Sequence, residues 1–187
     1  MKKAFIFVWI MAVVFASCHK DDDPPKVRIN KLYEAKVFRL LPDIYVMRMD
    51  NGHNLYAPRW RLNIELREGD FIDYEVSRFC PDEITRLNGI DLVEETKSAV
   101  ALSSRSGISN PVATDPVEAD IVDLFAIEMI TMIPMVPQTN WCIEIETGKL
   151  LICEQGKIDF TPAVGDHIVY NTYRLYPNEV VLFKKLN

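Results

Sequence analysis

The chain has 187 residues, 49% of them apolar and 26% charged, with 7 Gly, 11 Pro and 4 Cys. These proportions fit a folded chain of one or two domains and exclude collagen, coiled-coil and wholly disordered classes. A formal net charge of −6 sets it apart from nucleic-acid binders, which present a basic face to the phosphates.

The chain opens on Met1-Lys2-Lys3, and residues 4–17 carry no charge. That run is too short for a membrane-spanning helix, which needs about 20 residues, and reads as the apolar region of a secretory signal. The small residues Ala16 and Ser17 precede Cys18. Phe15-Ala16-Ser17-Cys18 resembles the lipobox of bacterial lipoproteins, with Phe15 in place of the usual Leu. The following His19-Lys20-Asp21-Asp22-Asp23 looks like the acidic surface-export tag of lipoproteins in Bacteroides-like bacteria. The resemblance implies a signal peptide over 1–17, an acylated Cys18 as lipid anchor, and a tether over 18–26 that Pro24-Pro25 stiffen. It places the protein in the outer membrane facing the medium, with the periplasmic face as the alternative. The membrane is then a partner through the N-terminal acyl chains. Cleavage after Ser17 leaves 19 basic against 27 acidic residues, which argues against docking on anionic lipid as well as on nucleic acid.

From residue 27 onward the chain repeats itself. Residues 45–88 align without a gap on 141–184, 96 positions later. Nine positions are identical: Gly52/Gly148, Leu55/Leu151, Gly69/Gly165, Asp70/Asp166, Ile72/Ile168, Tyr74/Tyr170, Arg78/Arg174, Pro81/Pro177 and Glu83/Glu179. Each copy reads as five short strands. Leu32 to Leu41 leads, Tyr45 to Asp50 and His53 to Ala57 flank an Asn51-Gly52 turn, and Gly69-Asp70 opens the alternating run Phe71 to Val76. A turn at Pro81 and a strand from Glu83 to Leu87 complete the copy. Asn-Gly is a strong hairpin signal because both turn positions favour φ > 0. In the second copy the leading strand is expected over Phe125 to Ile133, then Trp141 to Glu146, Thr147-Gly148 and Lys149 to Cys153.

This pattern predicts an all-β protein of two tandem five-stranded OB-like barrels, with SH3-like barrels as the alternative. Barrel 1 is expected over 27–95, a linker over 96–119 and barrel 2 over 120–187. Ser103 to Gly107, Asn110-Pro111 and Asp115-Pro116 give that linker its composition. The segments Asp50 to Tyr56 and Gly69 to Tyr74 resemble the N-terminal OB domain of NigD-like lipoproteins. Tyr56 stands where that family has Trp, and Asp70-Phe71 where it has Gln-Arg. The family's second domain is a β-sandwich, whereas here the first unit recurs. The resemblance implies a bacterial outer-membrane lipoprotein loosely tied to bacteriocin immunity.

Divergence between the copies locates the candidate binding site. Pro58-Arg59-Trp60-Arg61 in the first copy stands opposite Glu154-Gln155-Gly156-Lys157 in the second. The barrel therefore does not require Trp60. Trp60 flanked by Arg59 and Arg61, with Tyr45 and Tyr56 nearby, has the chemistry to stack on a sugar ring or anchor a protein partner. The retained pairs Arg78/Glu83 and Arg174/Glu179 read as structural ion pairs that brace the Pro81 and Pro177 turns. Tyr74 and Tyr170 read as core residues, and Cys80 as a buried thiol. If Thr147-Gly148 is a two-residue turn, Cys142 faces Cys153. Directly opposed residues have Cβ atoms about 4.5–5.5 Å apart, against about 3.5–4.5 Å for a disulfide, so an export-compatible disulfide is possible there.

No metal or cofactor motif is legible. His19, His53 and His167 are the three histidines, and no two have ligand spacing. Nucleophile-elbow, phosphate-loop and dinucleotide motifs are missing. The leading expectation is a non-catalytic binding module for an envelope protein or a glycan. A structural accessory subunit of a membrane complex is the alternative. A glycan hydrolase using paired carboxylates such as Glu65/Glu68 or Asp70/Asp73 comes last.

Overall fold

The computed structural model describes residues 25–37, 43–92, 112–130 and 136–186. The segment expected to be a signal peptide, Cys18 and most of the expected linker lie outside them. The described chain is all-β, with curled antiparallel sheets. In unit one, β1 (Val27–Ala35), β2 (Ile44–Met49), β3 (Asn54–Pro58) and β4 (Phe71–Ile72) pair in the order β3-β2-β1-β4, and β5 (Tyr74–Val76), β6 (Ile84–Leu87) and β7 (Ile90–Asp91) form a second sheet. In unit two, β8 (Val117–Ile130), β9 (Pro137–Ile145), β10 (Leu150–Glu154), β11 (His167–Thr172) and β12 (Val180–Lys185) form one sheet, ordered β10-β9-β8-β11-β12. The orders match once β4 and β5 are read as one strand interrupted at Asp73, whose N–H is taken by Asn88 Oδ1 at 3.1 Å. Single parallel bridges, Tyr56 to Glu83 and Ile152 to Glu179, bring the approach to the last strand against the third strand in each unit. The leading strand of unit two begins at Val117 rather than Phe125, and Ala113 already bridges Tyr173. The last residues assigned to the linker thus belong to unit two.

The shared glycines explain the shared turns. Gly69 and Gly165 sit at φ 92° and 90°, and each donates its N–H at 2.8 Å to Ile29 or Ile121. Asp70 and Asp166 close the same turn, their carboxylates accepting the N–H of Arg67 and Ala163. The first hairpins differ from expectation. Met49 N–H bonds His53 O, and Ile145 N–H bonds Lys149 O, so each loop has three residues and ends on Gly52 or Gly148 at positive φ. A type I turn closed by a left-handed glycine is the favoured geometry for that length.

Two apolar cores lie inside the units and a third lies between them. Ile29, Tyr45, Met47, Leu55 and Ile72 fill unit one; Ile121, Ile143, Leu151, Ile168 and Phe183 fill unit two. The third joins Tyr33, Ala35, Ile44, Val46 and Tyr56 of unit one to Phe125, Ile127, Met129, Cys142 and Ile152 of unit two. The leading strands serve both kinds of core because of a register shift, between Ile29 and Lys31 in β1 and between Ile121 and Asp123 in β8. Such a bulge turns the following side chains to the other face of the sheet. Ile29 and Ile121 therefore point into their own units, while Tyr33, Ala35, Phe125 and Ile127 point into the seam.

The seam contacts are reciprocal. Asp82 Oδ2 accepts the Glu128 N–H at 2.6 Å, and Asn178 Oδ1, 96 residues after Asp82, accepts the Lys36 N–H at 2.9 Å. Lys31 pairs with Glu144, and Arg48 with Asp123. Tyr33 and Phe125 stack with centroids 6.2 Å apart. Reciprocity of this kind is what two copies related by a two-fold produce.

Candidate functional site

Pro58 ends β3 and leads into a 3-10 turn, Arg59–Arg61. The Arg59 N–H donates to the Asp43 carbonyl at 2.9 Å. Asp43 holds a left-handed backbone, φ 64°, a conformation that costs a non-glycine residue about 1–2 kcal/mol. The Arg59 guanidinium donates to Glu34 at 2.6 Å and lies 5.4 Å from the centre of the Tyr45 ring. Lys36 Nζ stands 3.6 Å from Asp43. Arg59 thereby forms the wall shared by two open hollows. One, about 320 Å³, lies over Tyr45, Leu62, Asn63, Ile64 and Glu65. The other, about 170 Å³, lies between Glu34, Lys36, Asp43 and, from unit two, Pro177 and Asn178.

Trp60, at the centre of the turn, is half-buried, with the Arg61 guanidinium 4.8 Å from its ring centre. The Arg61 side chain is only 10% exposed and lies 3.7 Å from Glu83. Its Nε is buried without a hydrogen-bond partner among the described residues. Burial raises the Glu83 carboxyl above its ordinary range and the facing Arg61 opposes the rise. The corner thus presents one exposed arginine, one half-exposed indole and a polar rim. That arrangement can hydrogen-bond and stack on a ligand. Unit two carries the same 3-10 turn over Gln155–Lys157, without an aromatic residue.

Several expected site residues sit elsewhere. Tyr45 and Tyr56 are 1% and 3% exposed and form no surface patch with Trp60. Tyr45 lies inside unit one. Tyr56 belongs to the seam, its hydroxyl accepting the Ile130 N–H at 3.0 Å and lying 3.7 Å from Cys80 Sγ. Cys80 is fully buried, and its thiol donates to the Glu128 carbonyl at 3.1 Å. Burial raises both groups above their usual pKa.

The retained arginines do not brace their turns. Arg78 and Arg174 are exposed, and Glu83 faces Arg61 rather than Arg78. Among the described residues no Arg174–Glu179 ion pair forms, although Glu179 is buried at 6%. What the duplication preserves at Glu83 and Glu179 is the backbone bridge to the third strand.

The disulfide that the sequence makes possible is not formed. Cys142 and Cys153 are both buried and neither is in a disulfide. The three-residue loop shifts the hairpin by one position, so Cys142 pairs with Ile152, and Cys153 with Trp141. A one-residue slip sends side chains to opposite faces. Cys142 accordingly lies in the seam and Cys153 in the core of unit two. Burial holds the Cys142 thiol well above its usual pKa.

The carboxylates weighed for hydrolysis have other occupations. Asp70 closes its turn, Glu68 accepts the Leu32 N–H at 3.1 Å, and Glu65 lies 3.4 Å from Arg67. Among the described residues no three His, Cys, Asp or Glu side chains are placed to hold a metal ion, and no helix is long and apolar enough to cross a membrane.

Sequence reasoning missed Glu34, Lys36 and Asp43 beside Arg59, and the charged seam residues Lys31, Arg48, Asp123 and Glu144. The seam had a legible signal. β2 and β3 read Ile-Tyr-Val-Met-Arg-Met and Asn-Leu-Tyr-Ala-Pro, apolar at both parities, as strands covered on both faces are. Comparison with protein-family models, with curated proteins and with solved structures finds no match for the chain.

Proposed function

We propose that this protein is an exported, lipid-anchored binding module of the outer-membrane surface, built from two OB-like barrels and engaging its partner at the Arg59–Trp60 corner. The observation that carries this reading is the asymmetry of the corner. Two units that share strand order, turns and bulges differ at one 3-10 turn, where unit one alone has Arg-Trp-Arg beside two hollows. In both units the strands run one to three as a meander, while the fifth meets the third in parallel and the fourth returns to the first. That order supports the OB-like assignment over the SH3-like one, and OB-like barrels bind oligosaccharides, oligonucleotides or proteins on such a face. The acidic balance removes oligonucleotides and leaves an envelope protein or a glycan. The lipid anchor at Cys18 and the kinship with NigD-like lipoproteins rest on the sequence alone.

The deciding experiment is in-cell crosslinking and affinity capture of the lipidated protein, read by mass spectrometry. A reproducible partner lost on Trp60→Ala, with the melting temperature of the chain held, is the expected result. Loss of that partner only when the fold is lost would remove the corner from the mechanism. A second reading, a structural accessory of a membrane complex, is favoured by the exposure of Phe71 (62%) and Phe79 (83%) in unit one. It predicts a partner that survives Trp60→Ala and is lost on Phe79→Ser. With no protein partner, a polysaccharide panel tests the glycan arm.

A further inference from the structure

The charges at the seam are exchanged between the two copies. Register fixes which positions correspond. Lys31 of β1 lies across from Arg48 of β2, and Asp123 of β8 lies across from Glu144 of β9. Asp123 therefore takes the place of Lys31, and Glu144 the place of Arg48. The bulge that turns Lys31 toward the seam recurs before Asp123. Each unit thus sets two like charges on neighbouring strands, an arrangement that is unfavourable on its own. Unit one has two cations there, and unit two has two anions. Among the described residues each pair is neutralised from the other unit, Lys31 by Glu144 and Arg48 by Asp123.

The aromatic pair at the seam follows the same logic. Tyr33 and Phe125 are equivalent and stack on each other. The hydroxyl is present in unit one, where it donates to Glu144 at 2.9 Å. The plain phenyl is in unit two, where the Arg48 guanidinium lies 5.1 Å from its centre. Neither residue would do the other's work.

We infer that the seam is a heterotypic recognition surface: unit one fits a unit that carries the acidic pair, and a second copy of itself is refused. In a pair of first units joined by the same reciprocal contacts, Lys31 of each would meet Arg48 of the other. In a pair of second units, Asp123 would meet Glu144. Glu144 is 8% exposed, so its carboxylate would lose its cation in a largely dry place, where an unpaired charge is strongly destabilising. The ion pairs select. The seam's apolar residues also differ in size at equivalent places, Ala35 against Ile127 and Tyr56 against Ile152, so packing adds to the discrimination against either self-pairing. The partner chemistry that the surface of unit one accepts is therefore defined: an aromatic residue at its centre, flanked by two carboxylates.

Full-length charge-reversed chains test this. Lys31→Glu/Arg48→Glu makes both seam faces acidic, Asp123→Arg/Glu144→Lys makes both basic, and the four changes together restore complementarity with the signs exchanged. Thermal unfolding should show a clear fall in melting temperature for each two-residue chain and recovery of most of it in the four-residue chain, which remains a monomer by light scattering. The acidic and basic chains, unfolded and refolded together, should assemble one-to-one, each lending the other the unit that its own seam refuses; native mass spectrometry reads twice the chain mass. The inference is overturned if a two-residue chain melts like the parent as a monomer, or if the four-residue chain melts no higher than the two-residue chains. Should a two-residue chain fail to fold at all, the four-residue chain still decides.

Discussion

Arg59-Trp60-Arg61 and Gln155-Gly156-Lys157 occupy the same 3-10 turn after the same strand, in units that otherwise share their turn glycines, their bulges and their strand order. Pro58 ends β3 before one turn and Glu154 ends β10 before the other, at φ −63° and −62°. The backbone path is therefore indifferent to which side chains follow. The difference shows what each position is for. Residues that must hold a backbone angle, Gly69 and Gly165 or Asp70 and Asp166, are the same in both units. Residues that face the other unit are complementary rather than identical. Residues that face neither are free to differ, and there unit one has gathered its arginines and tryptophan.

The comparison can be broken most forcefully in the two inner cores. Met47 and Ile143 hold equivalent places, each with no exposed surface. Truncation of either to Ala removes buried methylenes and leaves a cavity, at about 2–5 kcal/mol. Urea unfolding followed at Trp60 and at Trp141, each isolated by Trp→Phe changes at the other and at Trp9, should move both reporters together because the seam couples the units. A transition that moves only at the local reporter would mean that the units unfold independently.

A smaller effect is expected at the reciprocal caps. Asp82→Ala leaves the Glu128 N–H without its acceptor, and Asn178→Ala does the same to Lys36. Each should cost about 1–3 kcal/mol. Hydrogen exchange should show faster opening of the unit opposite the mutation, at residue 128 or 36. The smallest effect separates the units by pH. His167 of unit two holds Asp120 at 2.6 Å and Glu118 at 3.4 Å, and these bonds raise its pKa; Phe71 stands there in unit one. The stabilisation from the protonated imidazole is complete below the ordinary histidine value of about 6.5 and is lost as pH rises through the raised folded value. Titration by NMR should place the His167 midpoint above the ordinary one, and Asp120→Asn should bring it down.

Much of the all-β architecture was legible because duplication wrote it twice. The Gly-Asp turn, the alternating strand after it and the hairpin position all follow from residues that recur. The hairpin register did not, because Asn-Gly is compatible with a two-residue or a three-residue loop. The choice between them moved Cys142 and Cys153 to opposite faces. The seam was missed for a different reason. The leading strands correspond with a spacing of 92 rather than 96, as the Ile29 and Ile121 turn bonds establish, so a gapless alignment never sets Lys31 against Asp123. Tyr45 and Tyr56 were drawn into a surface patch because their strands were read as having one dry face. With unit two packed on the outer side, both faces are dry. The Arg59 hollows were only half visible, since Glu34, Lys36 and Asp43 reach them from a strand and a turn that sequence does not connect to that corner.

The position of β1 governs how the molecule bears mechanical load. β1 is held by β2 on one edge and by β4 on the other, and its far end packs into the seam. Tension entering ahead of Val27, where a membrane tether would join, runs along this strand while its hydrogen bonds lie across it. The strand is loaded in shear, so its bonds must yield together instead of opening one at a time from an edge. Load entering there meets these bonds together, and the same strand carries it on to the seam with unit two.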